Sequence, residues 1–245
     1  MSEIVLPTKR IKATSLNPKL LIIYGPHKVG KTTLLSYLDD AFILDIEDGA
    51  RFVDSVRLAA TTLEEVNKIC AKIKESKNPY KYLIIDSVTR LEDIILPYAA
   101  SLYRATSMGK GWDGTDVLSL PNGAGYKYLR DAIKTYINSF KGLAEHVILV
   151  GHLKDKIVSK AGTEVSVKDL DLTGKVGSII CQDADAIGYL YRGENSELRI
   201  NFQSSESLVC GARPPHLKGK DIKIADYDAD KNELVNVDWK SIFPN

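Results

Sequence analysis

The stretch that most constrains this chain is an apolar run closing on a glycine, LLIIYG (20–25), followed at once by GPHKVGKTT (25–33). The run reads as a buried strand entering a tight turn. The segment fits G-x-x-x-x-G-K-[ST] with Gly25, Gly30, Lys31 and Thr32 in the fixed positions. Gly25 and Gly30 permit backbone conformations that other residues resist, which lets successive N–H groups turn inward around phosphate oxygens. A helix opening near Lys31 would aim its partial positive end at the same oxygens. The expected phosphate cradle is therefore Gly25, Pro26, His27, Lys28, Val29, Gly30, Lys31, Thr32 and Thr33. Lys31 would reach the β- and γ-phosphates, and the Thr32 hydroxyl would ligate Mg²⁺. No [NT]-K-x-D base-reading motif occurs, so ATP is the expected nucleotide.

Two further apolar runs deliver carboxylates to the place where open α/β sheets gather their ligand groups. KYLIID (81–86) ends on Asp86, which can hold Mg²⁺ through its water shell. The plainer reading is an acid that caps the following helix. Ser87 either touches the γ-phosphate side or serves as a cap. AFILDIE (41–47) is followed by Asp48, and its Glu47 stands where the strand runs out. Glu47 is the expected residue to orient or deprotonate water, with Asp45 behind it; a solvated turn acid is the competing reading. HVILVGH (146–152) ends a fourth run on His152, which either senses the γ-phosphate or bonds a nearby backbone group.

Between these runs, apolar spacing predicts helices over Thr32–Asp40, Leu63–Ser76, through Leu91 to Tyr98 and through Leu129 to Phe140. A Gly-rich polar stretch occupies 107–125. After Leu153 the pattern turns polar, and alternation at 157/158 and 165/167 suggests a hairpin, followed by a short helix and strands at 186–192, 198–202 and 207–211. Strands alternating with helices, then antiparallel-looking strands, predict an α/β fold: a mostly parallel sheet flanked by helices with antiparallel strands at its C-terminal edge. Residues 1–19 read as an arm and 20–245 as one domain. The chain has 245 residues, 44% of them hydrophobic, and a net charge of +1, so a nucleic acid would need a local basic surface. Three scattered cysteines without metal-ligand spacing predict free thiols in a reducing cytoplasm. No stretch approaches the roughly 18 apolar residues of a membrane span.

The order of phosphate-loop helix, strand with FILDIEDGA, strand with LIIDSVTRL and strand ending Gly-His resembles the RecA-type recombinase core. GPHKVGKTTLL followed closely by LDIEDGARF is similar to phage-encoded RecA-like nucleotide-binding proteins, including the Sak-type single-strand annealing group. The resemblance covers roughly residues 20–215. It implies Glu47 as the water-activating glutamate and His152 as the γ-phosphate sensor, where the family usually carries glutamine. It implies DNA-contacting loops at 104–125 and 154–177, and a trans-acting finger at Arg213, with Lys218 second. Lys110, Trp112, Lys154, Lys156, Lys160, Lys168 and Lys175 would supply charge and one stacking ring, although Asp113, Asp116, Asp155, Glu164, Asp169 and Asp171 lie among them. The implied partners are single-stranded DNA, further copies of the chain in a ring or filament, and a single-strand-binding protein, in the cytoplasm of a bacterial host. The expected function is thus a Mg²⁺-dependent ATPase that binds single-stranded DNA in recombination or annealing. The alternatives are a helicase or translocase motor, or a nucleotide-dependent switch that binds a protein. A kinase is disfavoured because no Arg-rich lid separates the strands.

Overall fold

The computed structural model describes residues 6, 8–77, 79–160 and 163–244. No helix or strand precedes Leu20 among them. The elements then run β1 (Leu20–Gly25), α1 (Lys31–Ser36), β2 (Ala41–Asp45), β3 (Arg57–Ala59), α2 (Leu63–Glu75), β4 (Tyr82–Asp86), α3 (Val88–Arg104) and α4 (Gly125–Phe140). They continue as β5 (His146–Lys160), β6 (Thr163–Leu170), α5 (Val176–Asp183), β7 (Ala186–Arg192), β8 (Leu198–Asn201), β9 (Gly211–Ala212), β10 (Asp221–Asp228) and β11 (Glu233–Val235).

β1 occupies the middle of the sheet because its side chains are apolar on both faces. Leu20, Ile22 and Tyr24 point into a layer shared with α2, α3, α4 and α5. Leu21 and Ile23 point into the other, shared with α1 and with Trp239, Ile242 and Phe243 from the C-terminus. A strand covered by both layers has no polar face to show, which is why LLIIYG is a continuous run rather than an alternation. The strand order is β11-β10-β8-β7-β1-β5-β4-β2-β3. From β7 across to β3 every pairing on this path is parallel, and β8, β10 and β11 add antiparallel strands at the C-terminal edge. The expected fold class is the one observed.

Local signals set the helix starts. Thr62 and Glu65 form a reciprocal capping box on α2, and the Ser87 hydroxyl accepts the Arg90 N–H at the start of α3. Some boundaries differ from expectation. α1 stops at Ser36 rather than Asp40, because the chain tightens to 3₁₀-type bonds and Asp40 turns left-handed (φ 54°) to enter β2. The expected strand at 207–211 is only a lateral contact on Lys168 plus the two-residue β9. β5 does not end at His152 but continues to Lys160 and returns as β6. The pair β10–β11 and the 3₁₀ turn at Trp239–Ser241 lie beyond the expected strands. The turn is nonetheless structural: the Trp239 indole N–H donates to the Leu34 carbonyl, 3.2 Å away in the buried layer beneath α1. The three cysteines are unpaired, and no helix among the described residues is long and apolar enough to cross a membrane.

Candidate active site at the strand ends

Parallel register brings the singled-out residues together. Gly25 lies beside His152, and Asp45 beside Asp86. Gly25, Asp45 and Asp86 each end their strand, where the next loop or helix begins, and His152 stands level with them within β5. The phosphate loop leaves β1 here and carries two left-handed residues, Lys28 (φ 59°) and Gly30 (φ 109°), which fold it back onto α1. Gly25 has an additional reason to be glycine: a Cβ there would run into the Leu190 carbonyl oxygen of the adjacent β7.

Lys31 is buried, with Nζ donating to the carbonyls of Gly25 (3.0 Å) and Pro26 (2.9 Å). Burial pushes its pKa down, against the pull of Asp86 and Glu47. The Thr32 hydroxyl donates to Asp86 Oδ2 at 2.6 Å. Burial pushes the Asp86 carboxyl up to about 6, with Glu47 and Asp45 adding to the rise and the Thr32 bond and Lys31 opposing it. Asp45 is fully committed as structure: its two oxygens accept the backbone N–H groups of Gly49 and Ala50 and so shape the loop that carries Glu47.

Glu47 Oε1 accepts from the Ser87 hydroxyl and contacts His152 Nε2 at 2.6 Å. The hydrogen bond from His152 is the largest influence holding the Glu47 carboxyl below its ordinary pKa, with Ser87 helping and burial opposing. The His152 ring in turn stacks on His27 of the phosphate loop (centroids 4.1 Å apart, planes at 21°), and its backbone N–H donates to the Thr89 hydroxyl at 3.1 Å. Lys31, Thr32, Glu47, Asp86 and His152 thus form one cluster. His27, Ser87 and Thr89 complete it; of the two readings open for Ser87, a cap and a contact at the phosphate side, the hydroxyl serves as the α3 cap and bonds Glu47, while no spacing signals the stacking of His27 or the anchoring by Thr89.

Thr32 and Asp86 present hard oxygens side by side, which suits a Mg²⁺ ion. No group of three or more His, Cys, Asp or Glu among the described residues could hold a metal alone, so such an ion would complete its shell with water and phosphate.

The other candidates lie elsewhere. Arg213 is at the opposite end of the sheet, where it bonds the Gln182 carbonyl (2.6 Å) and Asp185 (3.4 Å). Asp185 also accepts the Lys19 and Leu20 N–H groups at the start of β1, a whole strand from the phosphate loop. Lys218 is exposed in the turn before β10. Residues 154–160 and 163–170 pair as a β-ribbon rather than a loop, with Lys154 opposite Asp169 and Asp155 opposite Lys168. Trp112 is no free stacking ring, being met edge-on by Tyr103 and covered by the Arg104 guanidinium at 5.1 Å.

A family model described as an AAA domain matches residues 17–214. No curated protein matches the chain. A solved structure described as "Crystal structure of the RadB recombinase" aligns over 91% of this chain and 93% of that one, at 14% identity and a TM-score of 0.45. That likeness is too distant to bear on activity or partners.

Proposed function

The chain belongs to the AAA domain family of P-loop ATPases, and from that premise we propose a Mg²⁺-dependent, RecA-like ATPase that binds single-stranded DNA. The observation that carries the reading is the path of β5, which touches Glu47 through His152 and runs on without a break into the β5–β6 ribbon. A group that meets the phosphate end of a nucleotide and a projecting arm on the same strand is a means of coupling the two.

In this reading the loop N–H groups and Lys31 bind the β- and γ-phosphates, and Lys31 exchanges its two loop carbonyls for phosphate oxygens. Mg²⁺, held by Thr32 and through water by Asp86, would neutralise phosphate charge. Glu47, still bonded by the Ser87 hydroxyl once His152 has turned to the γ-phosphate, orients the attacking water and takes its proton. His152 exchanges its Glu47 contact for the γ-phosphate and moves the root of the ribbon with it. In this reading Arg213, a strand's length from the phosphate loop of its own chain, serves the site of a neighbouring copy.

Hydrolysis of Mg²⁺-ATP with and without single-stranded DNA tests the proposal. Stimulation by single strands, lost in both Glu47→Gln and Lys31→Ala, is the expected result. Glu47→Gln should lower turnover at least 100-fold while nucleotide binding persists. Hydrolysis indifferent to DNA would leave an ATPase whose ribbon addresses a protein. The opposed charges across the ribbon favour that second reading, and it predicts no gel-shift with single strands in either nucleotide state.

A further inference from the structure

The family match ends at residue 214, and the proposed chemistry uses nothing beyond Arg213. Yet β10 and β11 return to the mouth of the phosphate loop. A cleft of about 650 Å³ opens there, with Gly30 and Thr33 on one wall and Arg192, Tyr227 and Asn232 on the other. Its volume is that of sites for small organic ligands. Phe52, which also lines it, is 87% exposed, with the Arg51 guanidinium 5.4 Å from its ring centre.

The far wall is built rather than incidental. The Arg192 guanidinium lies 5.0 Å from the centre of the Tyr227 ring and is tied to the Ser196 carbonyl at 2.9 Å. The Tyr227 hydroxyl donates to Asn232 Oδ1 at 2.5 Å, and Asn232 is set in the left-handed region (φ 57°) by the β10–β11 turn. With Oδ1 engaged, the Asn232 amide nitrogen keeps its two hydrogens for an acceptor outside the protein.

We infer that this cleft is the nucleoside half of the nucleotide site, and that the β10–β11 hairpin of the same chain selects a purine base. The inference rests on the nucleotide reading above and adds the part of the ligand that the phosphate loop cannot distinguish. A triphosphate seated on Gly30 and Thr33 would extend its base along the cleft toward Tyr227. The Tyr227 and Phe52 rings each carry a guanidinium on one side, Arg192 and Arg51, and the other side would offer stacking surface that a two-ring base exploits more fully than a one-ring base. The Asn232 amide would donate to a ring nitrogen. Base and phosphate recognition are then completed within one copy, and a neighbour is needed for hydrolysis alone.

The test is calorimetric titration of the full chain with Mg²⁺-ATP, Mg²⁺-UTP and inorganic tripolyphosphate. The wild type should bind ATP about tenfold or more tightly than UTP. Tyr227→Ala should lose most of that preference while its tripolyphosphate affinity stays unchanged; Asn232→Ala, a milder surface change, should lose part of it. If Tyr227→Ala and Asn232→Ala both bind ATP as the wild type does, while Lys31→Ala binds neither ATP nor tripolyphosphate, the base lies elsewhere and the inference fails with the phosphate-loop reading intact. If the folded wild type binds none of the three, the nucleotide reading falls and takes the inference with it.

Discussion

Asp86 and Glu47 are carboxylates of one cluster whose surroundings push them in opposite directions. Asp86 sits within the sheet, and burial raises its pKa; Glu47 sits beyond a strand end, where His152 and Ser87 lower its own. For Asp86 the folded value of about 6 exceeds the ordinary 3.8, so the folded protein holds a proton that the unfolded chain releases. Its contribution to stability is complete below the ordinary value and is lost as pH rises through about 6. Thermal unfolding of the nucleotide-free protein should therefore show a decline over that window which Asp86→Asn flattens. The Glu47 contribution has the opposite sign and is lost as pH falls through its depressed folded pKa, so the comparison is made between variants at each pH. A variant whose profile parallels the wild type would mean that Asp86 is already ionised in the folded protein.

The β5–β6 ribbon is the element that links site to surroundings. Its root is fastened at two points: buried Glu92 of α3 accepts the Thr173 N–H through both oxygens (2.9 and 3.0 Å), and the Asp171 N–H donates to the His152 carbonyl (2.9 Å). Replacing the ribbon beyond Lys154 and before Asp169 by a short glycine-containing turn should leave DNA-free ATP hydrolysis within about twofold and remove stimulation by single strands. Loss of basal hydrolysis would show that the ribbon holds His152 in place rather than reading DNA. The core strands and the phosphate loop were legible in the sequence because each is local: LLIIYG, FILD and YLIID are runs that only a doubly covered sheet can bury. The ribbon was legible as alternation, but not its continuity with β5, since strand length past His152 is set by pairing with β6. β10 carried a signal in Ile222 and Ile224, two residues apart before the turn-rich DADKN, and both point into the layer beneath α1. The stacking of His27 on His152 depends on the fold of the phosphate loop against β5, and no spacing in the sequence encodes it.

Across the whole molecule, the last residues close the layer that supports the phosphate loop. Trp239 is buried against α1 and bonds Leu34, so Trp239→Ala should cost about 3–5 kcal/mol, read by denaturant unfolding. A loss under about 1 kcal/mol would place the C-terminal turn outside the cooperative unit. In the proposed assembly, Arg213→Ala and Lys31→Ala proteins, each inactive, should regain hydrolysis when mixed, because one keeps the loop and the other the arginine; an inactive mixture removes the role in trans. The separation of Arg213 from its own phosphate loop by the length of β1 has a bookkeeping consequence for such an assembly. Each copy would donate at one end and receive at the other, so an open row of n copies contains n − 1 complete sites and leaves one arginine and one loop idle at its tips. A closed circle of the same copies leaves none. Specific activity that climbs with average length and then levels off would belong to the open row, whereas activity that appears all at once at a fixed stoichiometry would belong to the circle.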